Sequence, residues 1–233
     1  MDGSNQQLER EVFQSLQKKY EGTSAQIAMH TLRLEQLISN NTTAYKFSIL
    51  EDQSSKTKSE IRLNKNDILF MTSIGYGVIA VNNAAATSGT AAGKDSASEI
   101  ATYPNQTIFL AATGFVPTDL EVFWKATLQL VVGTTTYIPG METDGFRFVP
   151  QTQKSASTNY DQYSRNSGFM ALPTYYELRG TDQINFEVDI TSYTGLSVAN
   201  ANSNYENRLV LRPRGFIIRN GASIRLKKQI AED

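Results

Sequence analysis

Residues 208–228 read "RLVLRPRGFIIRNGASIRLKK" and hold seven basic side chains and no acid. In "RLVLRPR" the arginines Arg208, Arg212 and Arg214 fall on even positions, and Leu209 and Leu211 on odd ones. A β-strand sends alternate side chains to opposite faces. The spacing therefore predicts an apolar face turned to a core and a guanidinium face turned away from it. Pro213 has no N–H to give to a ladder, so it marks an edge strand or a bulge. Asn220-Gly221, the strongest short hairpin signal, then precedes a further strand, "SIRLKK". Working outward from this segment, the chain reads as a β protein.

The same period of two runs back to about residue 42. "AYKFSIL", "EIRLN", "DILFMTSIGYGVIAV", "TIFLAAT", "LEVFWKATLQLVV", "TTYIP", "FRFVP", "TYYELRG" and "QINFEVDI" are rich in Val, Ile, Thr, Phe and Tyr. Gly133, between "LQLVV" and "TTTYIP", predicts a tight hairpin, and Gly180-Thr181-Asp182 separates two further strands. About ten strands with no helical pattern between them predict a mainly β chain, an antiparallel β-sandwich or barrel, over residues 41–233. Three long polar stretches interrupt it, at 82–98, 151–168 and 191–207. The first has no aromatic residue and reads as a plain connection. The other two carry Tyr160, Tyr163, Tyr193 and Tyr205 among Ser, Asn and Gly, a composition suited to recognition loops.

Residues 1–40 follow a different pattern. Ser4 and Gln7 make a capping-box signature, after which Leu8, Val12, Leu16 and Tyr20 recur every four residues. Beyond Gly22, Thr23 and Gln26 repeat the signature. Ile27, Leu34 and Leu37 then follow at heptad-like spacing, with His30 in the remaining apolar slot. The reading is an N-terminal helical arm of two helices, or of one kinked helix. Stripes this narrow are not stable alone in water, so the arm must pack on something.

The chemistry expected of such a chain is sparse. With no cysteine, disulfides and thiolate metal sites are excluded, in keeping with a reducing cytoplasm or a particle assembled there. The opening "MDGSNQQLEREVFQ" has no apolar run, so no cleaved secretion signal is expected. No apolar run reaches about 18 residues, so no membrane span is expected. His30 is the single histidine, which disfavours a nucleophilic triad and a zinc site. Glu187 and Asp189 are two apart and would share one strand face, an arrangement that two-carboxylate hydrolysis could use. Acids alternating with Phe186, Val188 and Ile190 are equally the pattern of any half-exposed strand. "GYG" (75–77) and "GTAAG" (89–93) lack the Lys-Ser/Thr ending of a phosphate loop. The sequons at Asn40, Asn41 and Asn105 have meaning only on a secreted chain. The expectation is a protein that is not an enzyme, with no catalytic residue, cofactor or metal.

The basic segment then stands out, because the whole chain has 22 basic and 23 acidic residues. Three readings stay open for Arg208, Arg212, Arg214, Arg219, Arg225, Lys227 and Lys228. They guard an edge strand against stray pairing. They form a salt-bridged seam with an acidic neighbouring subunit. Or they meet the phosphates of packaged nucleic acid.

A helical arm, then eight to ten strands with long connecting loops, no cysteine and few ionisable catalytic groups, resembles the viral jelly-roll coat proteins, those of small tailless bacteriophages above all. "TYYELRGTDQINFEVDI" (174–190) is similar to a strand pair of such proteins, and the basic C-terminal end to an inner capsid face. The resemblance implies a self-assembling structural protein of a virion, assembled in the host cytoplasm. Its partners would be copies of itself, other virion proteins and packaged nucleic acid. A different class also fits the loops: a β-sandwich recognition module such as an adhesin, a decoration protein or a carbohydrate binder. That module would use the tyrosine loops with Trp124 or Tyr175. The arm separates the two, since a monomeric binder has no use for one.

Overall fold

The computed structural model describes residues 2–40, 42–50, 60–82, 100–104, 117–149, 168–190, 198 and 205–224. In chain order these form helix α1 (Asp2–Lys19) and strands β1 (Ile27–Thr31), β2 (Leu34–Leu37), β3 (Ala44–Ser48) and β4 (Ile68–Asn82). A 3-10 segment (Pro117–Lys125) leads into β5 (Thr127–Val132) and β6 (Thr135–Glu142), and a 3-10 turn (Thr143–Phe146) follows. Strands β7 (Phe169–Arg179), β8 (Ile184–Asp189) and β9 (Tyr205–Ile218) and a last 3-10 turn (Gly221–Ser223) complete the described chain. The strands make two antiparallel sheets. One runs β1–β9–β4–β7, with β2 also on β9, and the other runs β3–β8–β5–β6. The mainly β, two-sheet class read from the sequence is what the chain adopts.

Alternation builds the core. Leu209, Leu211 and Ile217 of β9 and Leu69, Met71, Ile74, Tyr76 and Val78 of β4 point inward from the larger sheet. They meet Tyr45 and Phe47 of β3, Leu128 and Leu130 of β5, and Phe186 and Val188 of β8 from the smaller one. These facing apolar sets give a sandwich-like arrangement, in which each sheet hides its oily side against the other. Gly133 turns the β5–β6 hairpin at φ +60°, as its position in the sequence predicts.

Strand β9 is central, not an edge. It pairs with β1 and β2 on one side and along its whole length with β4 on the other. Pro213 is tolerated because the ladder on the β1–β2 side is interrupted opposite it. The Leu32 amide donates to the Pro213 carbonyl (2.9 Å), but Pro213 has no N–H to return, and β1 ends and β2 begins around this point. On the other side β4 bulges beside it: Met71 pairs with Gly215 and Ser73 with Arg214, leaving Thr72 as the extra residue. The close approach demands glycine, since a Cβ on Gly215 would lie 1.9 Å from the Phe70 carbonyl oxygen.

Only the first half of the expected helical arm is helix. Val12 and Leu16 of α1, with Tyr20 just after it, are buried against Ile68, Phe70, Phe216 and Ile218, on the outer face of the larger sheet. Ile27–Leu37, expected as a second helix, is instead the strand pair β1 and β2. The seven-residue spacing of Ile27 and Leu34 is odd, so as strand residues they take opposite faces. Ile27 joins the cluster under α1 and Leu34 the main core. The open side of β9 needs hydrogen-bond partners, and that tertiary demand overrides a marginal helical pattern.

Other expectations are corrected too. "RLVLRPR" and "GFIIRN" are one strand of 14 residues. The start of "LEVFWKATLQLVV" is a 3-10 segment, and "FRFVP" follows a 3-10 turn rather than forming a strand. "EIRLN" contributes isolated bridges, Arg33–Ile61 and Leu50–Leu63. Gly180-Thr181-Asp182 does lie between two strands, β7 and β8, and these belong to different sheets. Asn220 takes a left-handed φ of 55° but opens a 3-10 turn, and "TIFLAAT" and most of "SIRLKK" lie outside the described residues.

Candidate functional site

The even-numbered face of β9 is turned away from the main core, as its spacing predicts, yet it is largely covered. Its Phe216 and Ile218 end lies under α1, and the arginines continue the same face along β9. Arg214 has a side chain only 5% exposed. Its Nε donates to Ser73 Oγ at 3.1 Å and its Nη2 to Glu9 Oε1 of α1 at 3.2 Å. Arg208 donates to Glu206 Oε2 at 2.7 Å and to Glu35 Oε2 at 3.0 Å. Burial by itself would lower the Arg208 guanidinium, but the hydrogen bonds to Glu206 and Glu35 outweigh it and hold its pKa above the usual value. Arg208 and Arg214 thus take their acidic partners from the same chain.

Arg212 differs from both neighbours. Its guanidinium lies 4.5 Å from the centre of the Phe169 ring, which the Arg214 guanidinium also approaches, at 4.4 Å. The ring is laid across Gly75, where a Cβ would meet it at 2.8 Å. The stretch "SIGYG" thus leaves β4 bare at the point where an aromatic ring passes over to β9. Both guanidiniums gain from the ring's π-face. Arg212 Nε is nevertheless buried without a hydrogen-bond partner among the described residues. Burial, then the positive charges of Arg33 and Arg214, push the Arg212 pKa down to about 10. A buried donor left unmade costs about 1–3 kcal/mol, more when it is charged.

Arg33 completes the cluster from the neighbouring strand pair. Its Nε donates to Glu35 Oε1 at 2.7 Å, while its Nη2 is buried without a partner among the described residues. Glu35, itself 5% exposed, takes Arg33 on one oxygen and Arg208 on the other. Its backbone amide donates to Glu60 Oε1 at 3.0 Å, which fixes the backbone of β2 at the sheet's margin.

Of the remaining candidates, Arg219 is exposed beyond the end of β9, and Arg225, Lys227 and Lys228 lie outside the described residues. So do Tyr160, Tyr163 and Tyr193, while Tyr205 is the first residue of β9, paired with Asn82. Trp124, proposed as an exposed aromatic, is 1% exposed and packs edge-on to Tyr76 at 6.4 Å. Tyr175 is exposed, 5.9 Å from Phe70. Glu187 and Asp189 do share the outer face of β8, but Glu187 pairs with Lys46 at 3.3 Å. Burial and then Glu187 raise the Asp189 pKa. His30 stands on β1 opposite Gly215, half-buried, with its pKa lowered by burial and then by Arg219.

Glu9, Arg33, Glu35, Glu206 and Phe169 escaped the sequence reading. "ENR" at 206–208 and "RLE" at 33–35 place opposite charges two apart, which is one face of a strand. That signal was readable once both segments were known to be strands. Nothing local ties Glu9 or Phe169 to β9. Compared with known protein families, with curated proteins and with solved structures, the chain matches none.

Proposed function

We propose that this chain is a self-assembling coat protein of a virus or phage particle, built on a single jelly roll. The order of strand pairing carries the reading. With β1 and β2 taken as two halves of one interrupted strand, the first strand pairs with the last. The next, β3, pairs with β8, then β4 with β7 and β5 with β6. That is the nesting of one long hairpin folded over on itself, and the rolled contacts β9–β4 and β8–β5 close it into two sheets. Two such sheets, wound in this order, are the plan of the jelly-roll domains that viral coats use.

The covered arginine face supports a structural role over a nucleic-acid-binding one for Arg208 and Arg214. Their guanidiniums are spent on Glu206, Glu35 and Glu9. The partners in this reading are other copies of the chain and other virion proteins, and the location is the virion after assembly in the host cytoplasm. Size-exclusion chromatography with negative-stain microscopy of the full chain tests it. Regular closed particles or discrete rings of subunits are the expected result. A protein that stays monomeric at high concentration and captures a glycan would sink the proposal in favour of a recognition module.

A further inference from the structure

We propose that Arg212 and Arg33 together form a binding site for a small tetrahedral oxyanion of the phosphate type. The two side chains are neighbours across the sheet. Arg33 sits between Leu32, whose amide reaches the Pro213 carbonyl, and Leu34, which pairs with Leu211; this register puts Arg33 opposite Arg212. Both point to the outer face, where like charges on facing strand positions repel. Each presents a buried guanidinium N–H without a partner among the described residues, Nε on Arg212 and Nη2 on Arg33.

The charge of the cluster shows what is missing. Among the described residues, Arg33, Arg62, Arg208, Arg212 and Arg214 are set against Glu9, Glu35, Glu60 and Glu206, and each of these carboxylates is already engaged. Glu35 already takes one guanidinium on each oxygen, Arg33 and Arg208. A water would satisfy a donor but not the surplus charge. The free donors also belong to two different guanidiniums. A tetrahedral oxyanion of the phosphate type presents oxygens in several directions and carries more charge than one carboxylate, so a single such ion can engage both guanidiniums. The Phe169 ring holds the Arg212 plane in place beforehand, which lowers the ordering cost of binding. Burial, and after it the cations Arg33 and Arg214, also lower the proton affinity of Arg212. The site goes beyond the coat-protein reading and does not depend on it.

Phosphate is the probe. Orthophosphate titrated into the full-length protein against chloride at matched ionic strength should raise the thermal midpoint in a saturable way. Calorimetry should give a Kd at least tenfold weaker for Arg212→Gln and for Arg33→Gln. Arg212→Lys keeps the charge but lacks the Nε donor, and it should also bind several-fold more weakly. Should a variant fail to fold, the nitrogen-15 signal of arginine Nε–H groups in the unaltered protein still reads the site, because one such signal should move on phosphate addition. Competition by a short single-stranded oligonucleotide would assign the site to a phosphodiester, and lack of competition to free phosphate. An absence of saturable binding, an unchanged Kd in Arg212→Gln, or acetate acting as well as phosphate would overturn the proposal.

Discussion

Arg214 shows how much a buried charge depends on its partners. Its guanidinium is held by Ser73, Glu9 and the Phe169 ring, all within the same chain. Had Arg214 faced a neighbouring subunit, reversing its charge would block assembly and leave the monomer folded. The buried position changes that outcome. Arg214→Glu would set a carboxylate against Glu9 with little solvent to screen it, and breaking such a buried pair costs about 3–5 kcal/mol. Urea denaturation should show the midpoint falling accordingly; an unaltered midpoint would mean that the pair contributes nothing. His30 gives a second residue-scale prediction. Its folded pKa is below the unfolded one because burial and Arg219 disfavour the imidazolium. Stability is therefore unaffected above the unfolded pKa. It falls as pH drops below about 6.5, by at most about 1.4 kcal/mol per pH unit, and levels off below the folded pKa. His30→Gln should flatten that part of the stability–pH curve, and a slope unchanged in the variant would refute the assignment.

At the scale of elements, α1 acts as a cover and β1–β2 as part of the sheet. Leu16 is buried beside Phe70 and Phe216, so Leu16→Ala should cost about 2–5 kcal/mol. Removing residues 1–21 strips the helix from Ile68, Phe70, Phe216 and Ile218. The shortened chain should still fold, with a lower midpoint and with dye binding at the exposed apolar face. Removing 1–40 is a different operation, because it also takes β1 and β2 from β9. That chain should not fold, as one side of a 14-residue central strand would lose its ladder. Circular dichroism of the two truncations separates these outcomes. Equal stability in both would contradict the division of roles.

At the scale of the molecule, the nested pairing makes the two ends of the chain interdependent. Strand β1 finds β9 only when nearly the whole chain has been brought round. Loop closure of that length has to precede the contacts that reward it, so folding should be slow, on the order of milliseconds to seconds or longer. A chain ending at residue 204 lacks β9, the strand that joins β1 and β2 to β4, and should remain unfolded at every temperature. Stopped-flow refolding of the full chain and the spectrum of the truncated one test both statements. A cooperatively melting truncated chain would show that the smaller sheet, β3–β8–β5–β6, folds without the larger.

The sequence by itself determined the class of fold, because a period of two is a local property that burial on one face enforces residue by residue. It determined the two faces of β9, the alternation on β8, the Gly133 turn and the apolar stripe of α1, each set by neighbours within a few positions. Tertiary structure alone decided that Ile27–Leu37 is strand. Its local pattern suited either form, and the unpaired side of β9 settled the matter. It likewise decided that β9 is central in spite of Pro213, since the break it causes coincides with the join of β1 and β2 and with the bulge at Thr72. The fate of the arginines lay beyond the sequence for the same reason. Glu9 and Phe169 reach Arg214 from 205 and 45 positions away, and Glu35 reaches Arg208 from 173. Local spacing fixes which face a charge takes; only the folded chain fixes what it meets there.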